Sequence, residues 1–343
     1  MRILVIGGTR FIGLATVRLL HEQGHDIAVF HRGQTQSDVP VGVQHILGDR
    51  AQIQTFKQEF ERFAPELVLD IFPFVEQDAR TVMNLFKGMV RRIVAISSQD
   101  VYRAYGRLLR TEPGPTDPVP LTEDSPLREK LYPYRGTTMR ASEDKQRWMD
   151  DYDKIPIERI IMSDPALPGT ILRLPMVYGP GDGQHRLFEY LKRMDDKRPA
   201  IILDASVASW RWTRGYVENV AAAIVLAITN ERAAGRIYNV GEARTLTLAE
   251  WVRAIANAVG WSGKIVTVPS DHLPPHLVAD MDTAQDLLVD TTRIRQALGY
   301  HESINLGEAL TRTIFWERAN PPAEVDSQQF DYATEDTILA RES

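Results

Sequence analysis

The first thirteen residues, MRILVIGGTRFIG, constrain the fold more than any other stretch. Ile3 to Ile6 is an apolar run with the length of a buried parallel strand. It breaks into Gly7-Gly8-Thr9-Arg10-Phe11-Ile12-Gly13 and passes into an amphipathic helical pattern from Leu14 to Gln23. Strand, glycine turn and helix in that order is the context in which a glycine fingerprint binds a dinucleotide. Gly7 makes the tight turn, and Gly13 has no side chain to hold the helix off the sheet. The helix N-terminus offers free N–H groups and a positive dipole end to a pyrophosphate. The middle glycine, which lets the backbone approach the phosphates, is replaced by Arg10. A plain strand-turn-helix without a ligand is the alternative reading of the same residues.

The chain continues as a βαβ unit. Gly24 is a C-cap, and Asp26 to Phe30 reads as the second strand. A carboxylate at the end of that strand holds the 2′-hydroxyl of NAD. Here the residues are His31-Arg32-Gly33, with a cation and no acid. Arg32, with Arg10, suits the 2′-phosphate of NADP, because a planar guanidinium pairs well with phosphate. NADP is therefore the expected cofactor and NAD the alternative. Gln44 to Leu47 is a third strand leading to Gly48-Asp49-Arg50. Asp49 either accepts from an adenine amino group or caps the next helix. Leu67 to Ile71 runs into Phe72-Pro73-Phe74, and Arg92 to Ser97 runs into Ser98-Gln99-Asp100-Val101-Tyr102. Ligands bind at the carboxyl ends of parallel strands, so Gly7, His31, Asp49, Phe72 and Ser98 should share one rim.

Composition limits the alternatives. A chain of 343 residues holds one large or two smaller domains. Without cysteine there is no disulfide, thiol nucleophile or thiolate metal site, and no metal is expected. A net charge of -6 argues against general nucleic-acid binding. No apolar run spans a bilayer and no signal peptide precedes the first strand, so a cytoplasmic location is expected. Tyr105 to Met149 is polar and rich in proline, and reads as a long loop. Thr170 to Leu174 and Ile237 to Val240 are further strands. Helical periodicity marks Arg186 to Met194, Val217 to Ile228, Thr291 to Leu298 and Leu306 to Arg318. Thr247 with Glu250 is a capping box for a helix reaching Val259. From Asn320 onward the chain is acidic and polar, and is expected to be a flexible tail.

Taken in order, the turn Gly7–Gly13 and the segments Ser97–Tyr102, Leu172–Asp182, Tyr216–Ala222, Ile237–Gly241 and Asp290–Tyr300 resemble an extended short-chain dehydrogenase/reductase of the NAD-dependent epimerase/dehydratase type. The Gly-Gly-Thr-Arg-Phe-Ile-Gly form is similar to an atypical branch that includes chloroplast stem-loop-binding proteins. The resemblance implies an α/β Rossmann fold, a doubly wound parallel sheet with a smaller, discontinuous C-terminal substrate domain. Residues 1–175 would form the dinucleotide-binding domain, with a long loop at 103–150. Residues 176–319 would be mainly the substrate domain, and 320–343 the tail. The implied cofactor set is Gly7, Thr9, Arg10, Phe11, Ile12, Gly13, His31, Arg32, Asp49, Arg50, Phe72, Lys154, Pro175 and Val177. A small-molecule substrate and a homodimer are also implied.

The family mechanism uses a Tyr four residues before a Lys on one helix face, with a Ser or Thr. The ammonium lowers the phenol pKa so that the phenol can exchange a proton with a substrate hydroxyl, and the Ser hydroxyl steadies an oxyanion. Ser98 falls on the Ser/Thr position. Asp100 falls on the second of an acidic pair used by sugar-nucleotide dehydratases, or is a helix cap. Lys154 fits the Lys, but four residues earlier stands Asp150. Aspartate is already ionised at neutral pH and would pair with Lys154. Pro156 is tolerated only in a first helical turn, so the helix should begin near Asp153. A phenol must then come from Tyr152, Tyr134 or Tyr132, of which Tyr134 is preferred. The candidate catalytic set is Ser98, Lys154, Asp100, Tyr134 and Asp150. Met176 stands where sugar-nucleotide enzymes tend to have an Asn, while Arg173, Arg211 and Arg214 could bind an anionic substrate. The expected activity is NAD(P)-dependent oxidoreduction, epimerisation or dehydration at a hydroxyl or carbonyl of a sugar-like or sugar-nucleotide substrate. A catalytically reduced NADP-binding sensor or scaffold is the alternative, and RNA binding is less favoured.

Overall fold

The computed structural model describes residues 1–35 and 37–341. Its strands are β1 (Arg2–Ile6), β2 (Asp26–His31), β3 (Gln44–Leu47), β4 (Leu67–Asp70), β5 (Arg92–Ser98) and β6 (Gly169–Leu174). They continue as β7 (Met176–Tyr178), β8 (Ala200–Asp204), β9 (Arg214–Tyr216), β10 (Arg236–Asn239) and β11 (Lys264–Val268). The helices are α1 (Phe11–Glu22), α2 (Lys57–Phe63), α3 (Glu76–Phe86), α4 (Arg103–Leu108), α5 (Lys154–Ile161) and α6 (Phe188–Asp195). Then come α7 (Ala205–Ala208), α8 (Val217–Thr229), α9 (Leu248–Val259), α10 (Thr292–Leu298), α11 (Leu306–Ala319) and α12 (Tyr332–Arg341).

Seven strands pair in parallel in the order β3-β2-β1-β4-β5-β6-β10. The unbroken apolar run at the N-terminus is explained by burial on both faces. Ile3 and Val5 pack with Val17 and Leu20 of α1 and Ile224 of α8, while Leu4 and Ile6 pack with Phe60, Val82, Phe86 and Ile157 of α2, α3 and α5. This is the doubly wound arrangement expected from the sequence. The chain leaves the sheet after β6 and returns as β10. Between and beyond these, β7 pairs with β9 and β8 with β11, each in parallel. No helix of the described residues is long and apolar enough to cross a membrane.

Two expectations about irregular segments change. The stretch 103–150, expected to be a long loop, opens with α4 and is otherwise irregular, with its middle part anchored by buried polar groups and residues 136–147 largely exposed. Leu121 N–H donates to Leu288 O at 2.7 Å, Asp117 N–H donates to Gln285 Oε1 at 2.6 Å, and the buried Arg128 reaches Asp153 at 3.1 Å. The segment after Asn320, expected to be loose, carries α12. Its Glu335 takes Arg193 in a buried ion pair at 2.7 Å, and Ile338 packs with Ile202 and Val268. Sequence polarity misled because these charges are satisfied inside the protein.

Helix α1 begins at Phe11, three residues before the apolar periodicity suggests, because the glycine turn feeds straight into it. A Cβ on Gly13 would lie 2.6 Å from Gly8 Cα and 2.9 Å from Gly8 N, so the first turn of α1 touches the backbone leaving β1. Gly13→Ala should therefore destabilise the fold by about 1–3 kcal/mol, the range for forcing a methyl into a filled space. Equilibrium urea unfolding of the variant against wild type measures it.

Candidate active site

The glycine turn fits a pyrophosphate. Gly7 and Gly8 have φ of +86° and +114°, a region closed to most side chains. The first bond inside α1 runs from Leu14 N–H to Arg10 O at 3.1 Å. The N–H groups of Phe11, Ile12 and Gly13 thus have no acceptor within the helix, and no side chain caps them. Arg10 replaces the middle glycine without strain. Its backbone is extended (φ -141°), and its side chain leaves the turn to bond Thr35 Oγ1 at 2.8 Å. Thr9 O is held by Ser37 Oγ at 2.9 Å. Gly8 was not among the expected site residues. Its signal was available in the sequence, since only two adjacent glycines allow both positive φ values and the contact with Gly13.

At the end of β2, His31 Nε2 lies 2.8 Å from His45 Nδ1, and Gly33 N–H donates to His31 Nδ1 at 3.2 Å. Burial, and then His45, push the His31 pKa below its ordinary value. His31 is thereby occupied in holding the turn, and Arg32 beside it is exposed with no hydrogen bond or ion pair among the described residues. Asp49 is exposed and accepts from Ala51 N–H at 2.8 Å, so it acts as a helix cap. Arg50 departs from its expected cofactor role. Its guanidinium grips both Asp70 oxygens at 2.7 and 2.6 Å and lies 3.0 Å from Asp78, tying β3 to β4 and α3. Phe72 is partly exposed and stacks on Phe74, centroids 5.7 Å apart. Pro175 packs where a Cβ on Gly215 would touch it at 3.0 Å. Val177 is buried in the core, and its carbonyl accepts from Arg186 at 2.9 Å.

The candidate catalytic residues lie where β5 ends and α5 begins. Ser98 caps the turn after β5, accepting Asp100 N–H at 3.1 Å. Asp153 caps α5 through Ile155 N–H at 2.9 Å, so the helix starts at Lys154 and places Pro156 in its first turn, as that proline requires. Lys154 is only 5 % exposed and donates to Pro73 O at 2.6 Å and Ile96 O at 3.2 Å. Burial pushes its pKa down to about 8, although Asp100 and Asp70 pull the other way. The carbonyl of Pro73 comes from the loop after β4 and that of Ile96 from β5, so one ammonium ties the start of α5 to two neighbouring strands.

Asp150 does not join this cluster. It lies in a separate 3₁₀ turn, Arg147–Asp150, and its carboxylate pairs with Arg140, whose N–H also donates to it at 2.7 Å. Burial pushes its pKa up, but Arg140 and Arg147 outweigh that and hold it below the carboxylate range. It therefore has a partner and no need of Lys154. The phenols that reach the cluster are Tyr152 and Tyr134, whose hydroxyls donate to Asp100 Oδ2 at 2.9 and 3.2 Å. Lys154 Nζ is 5.5 Å from the Tyr152 ring centroid. Tyr132 instead stacks under Arg135 at 3.9 Å. Tyr152 was passed over because its spacing to Lys154 is wrong for a continuous helix, but the helix is not continuous there.

Parallel sheet, glycine turn and rim together define a Rossmann-type dinucleotide-binding protein. The chain belongs to the NAD dependent epimerase/dehydratase family, whose profile matches residues 3–241. It is 25% identical over 283 residues to a 2′-dehydrokanamycin reductase of Streptomyces kanamyceticus, covering 79% of this chain and 70% of that one. It is 21% identical over 362 residues to the chloroplast stem-loop binding protein of 41 kDa b of Arabidopsis thaliana, covering 99% and 84%. Among solved structures it resembles the UDP-glucose 4-epimerase of Thermotoga maritima (TM-score 0.67, 18% identity, covering 93% of this chain and 99% of that one). It also resembles MoeE5 in complex with UDP-glucuronic acid and NAD (TM-score 0.68, 19% identity, covering 93% and 99%).

The Lys154 environment gives a pH signature. Because the folded pKa of about 8 lies below the free lysine value of about 10.4, the unfolded chain holds the extra proton between them. Stability contributed at this position should rise with pH across that window and be flat below it. The stability difference between wild type and Lys154→Met should change by about 3 kcal/mol between pH 8 and 10.4, favouring wild type at the higher pH. Denaturant unfolding at a series of pH values checks this.

Proposed function

We propose that this protein is an NADP-dependent enzyme that oxidises or reduces a hydroxyl or carbonyl carbon of an anionic, sugar-like substrate. The observation that carries the reading is the burial of the Lys154 ammonium 5.5 Å from the Tyr152 ring, held by the carbonyls of Pro73 and Ile96 on the same side of the sheet as the glycine turn. A buried ammonium without a carboxylate partner is costly, and a role at the reacting end explains its retention. The cofactor, when bound, supplies or accepts hydride. The Lys154 ammonium lowers the cost of forming a phenolate nearby and orients a ribose. The Ser98 hydroxyl donates to a developing alkoxide, and a phenol exchanges the proton. NADP is preferred because the end of β2 carries no carboxylate, Arg32 has no partner among the described residues, and Arg10 bonds Thr35, three residues after Arg32.

The substrate charge follows from comparing three arginines. Arg173 is spent on Glu158 at 2.9 and 2.7 Å, and Arg211 on Asp286 at 2.8 and 2.6 Å. Arg214 has no ion pair among the described residues. It is 4 % exposed, lies 4.6 Å over the Trp251 ring, and reaches only two carbonyls, Trp212 O at 3.2 Å and Leu246 O at 3.4 Å. Burial pushes its pKa down to about 10, although Tyr190 and Glu242 oppose the fall. A buried guanidinium in no direct ion pair among the described residues is suited to an arriving anion such as the diphosphate of a sugar nucleotide. The relatives support this chemistry, including a UDP-N-acetyl-alpha-D-glucosaminuronate decarboxylase of Bacillus cytotoxicus at 23% identity. RNA binding draws no support from a chain of net charge -6.

Fluorescence titration should show NADPH binding at least tenfold tighter than NADH, with Arg32→Ala erasing most of that preference. Tighter NADH binding would remove the NADP assignment. Arg214→Met should weaken binding of UDP, used as a probe, by ten- to a hundredfold in calorimetry while leaving the melting temperature unchanged or higher. Arg173→Met, which strands a buried Glu158, should instead cost about 3–5 kcal/mol of stability.

A further inference from the structure

Asp100 is a buried acid just beyond the end of β5, and its surroundings are unusual. It is 5 % exposed. Its Oδ2 accepts from Tyr152 at 2.9 Å and Tyr134 at 3.2 Å, and Tyr134 OH lies 3.1 Å from Tyr105 OH. Its Oδ1 is buried and has no hydrogen-bond partner among the described residues. Tyr105 and Tyr134 are half-buried, whereas Tyr152 is buried, so the four groups form a hydrogen-bonded file from two half-buried phenols to a buried one 5.5 Å from the Lys154 ammonium.

We propose that Asp100 is a proton relay: a solvent proton passes along Tyr105 and Tyr134 to Asp100, and from Asp100 to the Tyr152 phenol that meets the substrate. This rests on the enzymatic reading given above. It assigns the phenol of the reaction to Tyr152 rather than Tyr134, and makes Asp100, Tyr134 and Tyr105 positioning and relay residues. An ionised carboxylate with one oxygen buried and unbonded is strongly disfavoured, whereas a carboxylic acid tolerates it. Burial pushes the Asp100 pKa up, and Asp153 adds to the rise. Arg128, the Tyr152 hydrogen bond and Lys154 pull it down, without cancelling the effect of burial. Arg128 is partly committed elsewhere, donating to Asp100 O at 2.5 Å, Lys130 O at 2.7 Å and Asp153 Oδ1 at 3.1 Å.

The chemistry balances for a carbonyl reduction. Hydride from a reduced nicotinamide dinucleotide forms the new C–H bond. The Tyr152 O–H bond breaks as its proton joins the carbonyl oxygen. Asp100 then gives its proton to the phenolate, and the carboxylate regains one from water through Tyr134 and Tyr105. The sum is carbonyl plus hydride plus one solvent proton, giving an alcohol. A redox cycle that returns its hydride also returns its proton. A relay to solvent is needed where the alcohol is the product.

The test uses the full-length protein without added ligand. Infrared pH titration of protein labelled with ¹³C at aspartate carboxyls should show one acid band titrating above the ordinary aspartate range. Asp100→Asn should remove it. Tyr134→Phe should move its midpoint upward, with roughly a tenfold change in the ionisation equilibrium, because the lost hydrogen bond favours the carboxylate. In the same variant, exchange of the Tyr152 hydroxyl proton with solvent, followed by NMR, should slow at least tenfold. A purely structural Tyr134 would change melting temperature but not exchange. Titration of Asp100 in the ordinary range, or unchanged exchange in Tyr134→Phe, overturns the relay. NADPH titration of the same preparation separates the two claims: absence of binding removes the enzymatic reading, while the carboxyl titration still judges the state of Asp100.

Discussion

The contact between Gly8 and Gly13 sets the geometry on which the site depends. With no Cβ on either residue, the first turn of α1 meets the backbone leaving β1, where an added methyl would fall 2.6 Å from Gly8 Cα. That approach brings the uncapped first turn of α1, with the Phe11, Ile12 and Gly13 N–H groups free of helical acceptors, against the end of β1. It also fixes the rim to which the other strand ends are referred, because β1 lies between β2 and β4 in the sheet. Phe11 takes a left-handed φ of +42° to enter the helix there, a conformation that costs about 1–2 kcal/mol for a residue with a side chain. The surrounding packing, including Gly181 against Phe11, holds it in place.

A second constraint is the short helix α5. Pro156 prevents an earlier start, so the residues before Lys154 cannot present a phenol from the preceding turn. The protein replaces that turn with a web of charges. Asp153 caps the helix and takes Arg128 and the Tyr132 N–H, while Asp150 takes Arg140. Behind them the buried Glu158–Arg173 pair, joined by Ser97 and Tyr102, locks α5 to β5 and β6. Such pairs contribute little net stability once desolvation is counted, but breaking one is costly, so they specify position. Here the position specified is that of Lys154 under the strand ends and Tyr152 over Asp100.

Much of this was legible in the residues. The strands could be read because they are apolar on both faces, and α9 because Thr247 and Glu250 form a reciprocal cap seen in the structure at 3.1 and 2.9 Å. The helix α2 was missed because it is short and buries one apolar residue, Phe60, whereas the amphipathic pattern of α3, with Ala79, Val82, Met83 and Phe86 on one face, was there to be read. The short strands β7, β8, β9 and β11 were missed because each is held by pairing rather than by pattern. Arg50 and Arg32 are adjacent to similar strand ends and look alike in sequence. Only the fold reveals that Asp70 and Asp78 occupy the first and that no described residue pairs with the second.

The sequence by itself determined the parallel sheet, the glycine turn, the start of α5 and the absence of an acid at the end of β2, because these follow from local sterics, periodicity and residue type. Tertiary structure alone decided which charges remain unspent and which phenol reaches the acid. Those outcomes depend on distances between residues far apart in the chain: Arg173 with Glu158, Arg211 with Asp286, and Tyr152 with Asp100 across fifty-two positions. Electrostatic and hydrogen-bond energies fall steeply with such distances and with exposure to water, and a linear order of residues carries neither quantity.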